Sequence, residues 1–258
     1  METSPWRAPL LWRLLLVLSR VVVFPLCRLR VSGTVPAELA GGPLILAANH
    51  VSPVDPLVMI AASHRAGIAP RIMATGGVFD APVLGWVMRR CGHIRVDRHT
   101  VHASDALRTA GEALAQNAMV LVYPEGRIGL DPWMWPERGK TGVARMADLS
   151  GAPVLPVAQW GAHAVLPYEA PKRMVRPLLR ALLRRPVVKV GFGTPVDLSG
   201  VHGSPGARAV QATRLIMDGI DEALAPLRAG EMRMPRFVDR SRPPDTSRVR
   251  PRRAPDAH

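Results

Sequence analysis

A chain of 258 residues with two cysteines has room for one domain with a substantial core and small appendages. It lacks the length for two full domains and the cysteines for a disulfide framework, and Cys27 and Cys91 fit reduced thiols in a cytosolic compartment. The formal net charge of +14 calls for an anionic partner: a bilayer surface, a phosphate-bearing substrate or nucleic acid.

The first segment, "WRAPLLWRLLLVLSRVVVFPLCRLR", is intensely apolar, but Arg13 and Arg20 interrupt it and Pro25 closes it. No uncharged run of about 20 residues remains, so a bilayer-spanning helix is not expected. Arg13 and Arg20 are nearly two helical turns apart and share one face, with Trp12, leucines and valines over the rest. This is the pattern of an amphipathic helix lying in the lipid interface. A signal anchor and an ordinary buried helix are the competing readings, and no small-x-small cleavage site follows.

The middle of the chain alternates. "PLILAAN" reads as a buried strand, "DPLVMIAASHRAG" as a helix, "PRIMAT" as a strand, "PVLGWVMRRCG" as a helix and "HIRVDR" as a strand. "SDALRTAGEALAQN" has helical spacing, "AMVLVYPEG" is a strand running into a turn, and "KTGVARMADLSG" returns as a helix. "PVLPVAQWG" and "VVKVGFG" are strands, and "GARAVQATRLIMDGIDEALAPLR" is a closing helix. This rhythm predicts an α/β fold, a mostly parallel sheet covered by helices on both faces, with functional groups in loops at strand ends. The expected organisation is a membrane-associating segment over 1–32, one domain over 33–228 and a disordered basic tail over 229–258. The tail has no sustained apolar period to offset its ordering entropy. It also lacks the interleaved aromatics that would stack bases, so no nucleic-acid partner is expected.

Three polar motifs leave apolar runs at strand ends: "NHVSPVDP", "HIRVDR" and "YPEGRIG". Asp55, at the start of a predicted helix, lies within reach of one imidazole nitrogen of His50. Accepting there would fix the tautomer and leave the other nitrogen free as a base. No Gly-x-Ser-x-Gly elbow is present and neither cysteine lies in a motif, so the base must activate a substrate hydroxyl rather than a protein nucleophile. A metal site would need partners for His50 and Asp55, but His93, His99, His102 and His163 lack zinc-ligand spacing. No metal or other cofactor is expected.

In this order, "NHVSPVD", "GHIRVDR", "YPEGRIG" and "APVLPVA" resemble the four blocks of the glycerophospholipid acyltransferase family, whose bacterial members acylate lysophosphatidic acid to phosphatidic acid. The resemblance implies His50 as general base, Asp55 as its orienting partner, and a fatty acyl thioester of coenzyme A or acyl carrier protein as donor. It implies a lysophospholipid acceptor held by Arg98, Glu125 and Gly126, at the cytoplasmic face of an anionic membrane. The Gly126 N–H is the expected donor to the oxyanion. An acceptor that is another lysophospholipid or a glycolipid is the alternative within the family, and a non-catalytic lipid-surface protein the alternative outside it. Two departures bear on the acceptor. The third block places Arg127 one position early, and Thr75 stands where the family commonly has a lysine. Arg127, Arg71 and Lys140 are the candidates to supply the missing charge; Trp133 and Trp135 read first as packing or interfacial residues, with a different acceptor pocket as the alternative.

Overall fold

A computed structural model describes residues 6–97, 103–170, 174–243 and 245–250. A first helix, α1 (Leu10–Leu26), leads into an edge strand, β1 (Arg28–Ser32). There follow β2 (Leu44–Ala48), α2 (Asp55–Arg65), β3 (Arg71–Thr75), α3 (Gly76–Asp80), α4 (Pro82–Arg90) and β4 (Ile94–Val96). The second half comprises α5 (Ala103–Ala115), β5 (Met119–Val122), α6 (Gly142–Ser150), β6 (Val154–Trp160), α7 (Val175–Arg184), β7 (Val187–Phe192) and α8 (Pro205–Leu224).

The strands form one seven-stranded sheet in the order β1-β7-β6-β2-β5-β3-β4, parallel throughout except for the antiparallel β6–β7 pair. The expected mostly parallel α/β sheet is therefore what the chain forms. β2 lies at its centre with every residue buried, and its alternation divides the core. Leu44, Leu46 and Ala48 pack with α1 and α2, whereas Ile45 and Ala47 pack with α5, α6 and α8. A strand buried on both faces has no polar alternation, which is why "LILAA" reads as one apolar run.

Three corrections concern the ends and the gaps. Of the segment expected over 1–32, residues 6–32 are described, and these pack as part of the domain. Trp12, Leu16 and Val23 of α1 are core residues, and β1 pairs with β7. The helix is not divided into a polar and an apolar side. It buries one apolar face, and turns another, Leu10, Leu14, Val17, Val21 and Phe24, outward. Among the described residues no helix is long and apolar enough to cross a membrane. Trp12, expected on the lipid-facing side of an interfacial helix, instead meets the His93 ring edge-on at 4.4 Å.

The tail is the second correction. Residues 229–243 and 245–250 are not disordered; they form an arm laid over the strand ends, held by side chains that composition treats as solvated charge. Arg250 pairs with Asp218 and Asp221 of α8, and Asp239 accepts from the Tyr168 N–H at 2.6 Å. Tertiary hydrogen bonds, and not a core of its own, order this arm. Third, β1, α3 and α7 are absent from the sequence reading; at 10 residues α7 is longer than the expected α4 and α6, so length does not account for its absence.

Candidate active site

Parallel pairing of β2 with β5 sets Ala47 beside Val122, so the chain leaves both strands at the same edge. The polar motifs "NHVSPVD" and "YPEG" therefore meet, at the carboxyl ends of central strands where open α/β sheets form their crevices. Asn49 anchors the exit of β2. Its Nδ2 donates to Gln159 O at 3.0 Å, its Oδ1 accepts from Gln159 N at 2.8 Å, and its carbonyl accepts from Gln159 Nε2 at 2.7 Å. Ser52 Oγ donates to Leu166 O at 2.6 Å. Both residues are buried, so every available polar group must find a partner there.

His50 Nδ1 lies 2.8 Å from Asp55 Oδ2. The same oxygen accepts the N–H groups of Val51 at 2.5 Å and Ser52 at 2.7 Å. Asp55 is fully buried at the first turn of α2, and three hydrogen-bonding groups converge on its Oδ2. A carboxylate can only accept, so Nδ1 carries the proton and Nε2 keeps its lone pair. The imidazole stacks on Tyr123, ring centres 4.5 Å apart, and burial holds the Tyr123 phenol well above its usual range.

The backbone of His50 is fixed separately. Its N–H donates to Glu125 Oε1 at 2.9 Å and its carbonyl accepts from Gly129 N at 2.8 Å. Glu125 Oε2 accepts from Glu137 N at 3.0 Å, so one buried carboxyl ties two parts of the β5–α6 connection to the loop that carries His50. Burial pushes that carboxyl up to about 8 despite the two N–H groups that favour its charge. A Cβ at Gly129 would stand 2.6 Å from Glu125 Oε2, which explains a glycine there.

His50 borders a cavity of about 940 Å³ lined mostly by apolar side chains, among them Leu15, Leu18, Leu57, Ile60, Met73 and Met146. Its polar wall includes Thr75, Gly126, Lys140 and Arg145. An apolar chamber with an imidazole and cations at one side suits a ligand with an apolar body and a polar head.

A family model for acyltransferases matches residues 28–160, half of the chain, and spans His50, Asp55 and the 125–129 turn. The chain belongs to the acyltransferase family. It is 23% identical over 181 residues to a chloroplastic 1-acyl-sn-glycerol-3-phosphate acyltransferase of Brassica napus, covering 70% of this chain and 50% of that protein. To the corresponding protein of Arabidopsis thaliana it is 21% identical over 170 residues, covering 66% of this chain and 46% of that one. The chain thus spans about half the length of these curated relatives. The crystal structure of the 1-acyl-sn-glycerophosphate acyltransferase PlsC from Thermotoga maritima superposes with a TM-score of 0.61 at 22% identity, over 83% of this chain and 80% of that one. That likeness establishes a shared fold.

In this member of the acyltransferase family, the residues singled out from sequence divide into two groups. His50 and Asp55 come together, and Gly126 and Lys140 line the same cavity. Glu125 does not face the cavity as an acceptor-binding group; it is a brace beneath His50. Arg127 turns away into a bidentate pair with Glu137, at 3.0 and 3.1 Å, and a further bond to Asp245 at 2.7 Å. The Gly126 N–H, expected at the oxyanion, donates to Tyr123 O at 2.9 Å and closes the turn. Arg71 donates to Gly92 O. Trp133 and Trp135 are not among the lining residues, and Trp135 stacks on the buried Arg228 at 4.3 Å. Arg98 lies outside the described residues. Sequence reasoning missed Asn49, Gln159, Arg145 and Arg242. Only Asn49 carried a signal, as the first polar residue after a wholly apolar strand.

Proposed function

We propose that this protein transfers a fatty acyl group from a thioester of coenzyme A or acyl carrier protein to the sn-2 hydroxyl of 1-acyl-sn-glycerol-3-phosphate, giving phosphatidic acid. The observation that carries this reading is the His50–Asp55 pair set into the wall of an apolar cavity beside Lys140 and Arg145. The similarity to 1-acyl-sn-glycerol-3-phosphate acyltransferases of Brassica napus and Arabidopsis thaliana points the same way.

Nε2 of His50 takes the proton of the acceptor hydroxyl as its oxygen attacks the thioester carbonyl carbon. Asp55 stabilises the imidazolium that forms. Collapse of the tetrahedral intermediate breaks the carbon–sulfur bond, and the proton passes from Nε2 to the departing thiolate. Acyl chains occupy the apolar chamber, and the acceptor phosphate sits against Lys140 and Arg145, which replace the displaced Arg127 as cations. The outward apolar face of α1 rests in the lipid interface, peripheral or monotopic at the cytoplasmic side, so that the acceptor need not leave the bilayer.

Purified protein given one long-chain acyl-CoA, or the acyl carrier protein equivalent, and a panel of acceptors tests the reading by thiol release and by product lipid. Turnover should require lysophosphatidic acid and yield phosphatidic acid. Equal turnover with acceptors that lack a phosphate would reassign the substrate to a glycolipid or neutral lipid. Preference for a different lysophospholipid would keep the chemistry and change only the head group.

A further inference from the structure

Helix α7 makes no contribution to the cavity, yet its two sides differ sharply. Ala181 turns inward and Leu178 packs against the core, while Val175, Leu179, Leu182 and Leu183 stand outward, Leu183 at 87% exposure. Arg176, Arg180 and Arg184 follow at helical spacing along the adjoining flank. The Arg180 guanidinium rests over the Phe237 ring; Arg176 and Arg184 are exposed.

This face continues the outward face of α1. Arg185, the left-handed residue that ends α7, holds its guanidinium 4.6 Å from the centre of the Phe24 ring and donates from Nη2 to Phe24 O at 2.7 Å. Phe24, 71% exposed, is the last member of the α1 stripe. Both helices also lie in stretches without a single Asp or Glu, residues 3–37 and 170–196. Their arginines thus meet no carboxylate from their own segments.

We propose that α7 and the outward face of α1 form one docking surface for a bilayer with anionic headgroups. The proposal rests on the membrane reading above and goes beyond it by assigning α7. Leucines beside a flank of arginines suit a helix lying in the interface, with apolar side chains below the headgroups and guanidinium groups level with lipid phosphates. A single helix can roll about its axis on such a surface. A second helix, fixed to it through Arg185, removes that freedom and holds the cavity in one orientation to the lipid.

Flotation of the full chain tests this with vesicles of phosphatidylcholine alone and of phosphatidylcholine mixed with phosphatidylglycerol. The proteins compared are wild type, Leu14→Ser/Val17→Ser/Val21→Ser, Leu179→Ser/Leu183→Ser and Arg176→Gln/Arg184→Gln. All these side chains are exposed, so melting in buffer should match wild type. The wild type should float and the α1 variant should be released. The α7 leucine variant should partition about tenfold more weakly, or worse, on both vesicle types. The α7 arginine variant should lose about tenfold on the mixed vesicles and nothing on phosphatidylcholine. If the α1 variant is released while both α7 variants float as wild type does, α7 has no docking role and the membrane reading stands. If wild type binds neither vesicle, both readings fall. A wild type that is dimeric in buffer and becomes monomeric as Leu179→Ser/Leu183→Ser would make this face a contact between copies and overturn the bilayer as its occupant.

Discussion

The Arg242 guanidinium donates from Nη2 to the Val51 carbonyl at 2.6 Å, tying the C-terminal arm to the loop that carries His50. Its Nη1 donates to Gly129 O at 2.5 Å, and Gly129 in turn donates to His50 O. Arg248 adds a bond from Nη2 to Glu125 O at 2.9 Å. One arm therefore clamps both loops between which the imidazole stands. Burial lowers the Arg242 pKa, and the nearby carboxyls of Asp239, Asp55, Glu125 and Glu137 oppose that shift.

Replacing Arg242 by Ala should leave two carbonyls at the site without their charged donor. A stability loss of about 2–4 kcal/mol is expected from two such bonds. The kinetic signature should be a fall in kcat of about tenfold or more with a smaller change in the acceptor KM, because a loosened His50 loop misplaces the base without removing a substrate contact. Arg242→Lys, which can reach one carbonyl, should recover part of both. Thermal melting and steady-state kinetics on the three proteins check this.

His50→Ala should lower turnover by about 10²–10⁴-fold while the protein stays folded. Asp55→Asn should cost activity and stability together, the latter by roughly 1.5–3 kcal/mol, since a buried carboxylate accepting three donors becomes a neutral amide. A folded His50→Ala protein with near-normal turnover would remove the base from the mechanism.

Lys140 and Arg127 separate acceptor binding from bracing. Lys140→Ala should raise the KM for a phosphate-bearing acceptor by an amount matching a lost charged hydrogen bond, roughly 1.5–3 kcal/mol, with donor kinetics little changed. Arg127→Ala should act mainly on stability, because it leaves the buried Glu137 without its bidentate partner. The opposite pattern, a large acceptor effect at Arg127 and none at Lys140, would return the phosphate to the position that the family's third block implies.

Stability should peak near pH 6.5. Burial holds His93 down to about 4 and His163 down to about 3, and His93 Nδ1 accepts from Ile72 N at 3.1 Å, which requires a neutral ring. Their folded values lie below the unfolded value, so the unfolded state binds more protons and stability falls as pH drops below about 6.5. Glu125 has the opposite sign. Its folded value, about 8, lies above the unfolded one. Its contribution is full below about pH 4.5 and declines until about pH 8, by up to about 1.4 kcal/mol per pH unit. Between 4.5 and 6.5 the two histidines outweigh one glutamate; from 6.5 to about 8 the glutamate dominates, and above that the raised Cys27 and Tyr123 continue the decline. Denaturation across pH should show this maximum, and Glu125→Gln should flatten the alkaline limb.

The sequence by itself determined the class of fold and the pairing of His50 with Asp55. Buried strands and amphipathic helices imprint their own periods, and His50 and Asp55 are joined by a loop so short that the start of α2 brings them together. Tertiary structure decided everything that depends on partners distant in the chain. Arg127 next to Gly126 reads as a substrate contact until Glu137 and Asp245 claim it. Trp12 in an apolar run reads as a lipid anchor until packing on His93 buries it. A basic tail without apolar period reads as disordered because period reports only whether a segment can bury its own face. Arg242, Arg248 and Arg250 instead meet backbone oxygens and carboxylates supplied by β-strand ends and α8, and it is the assembled sheet that places those acceptors within their reach.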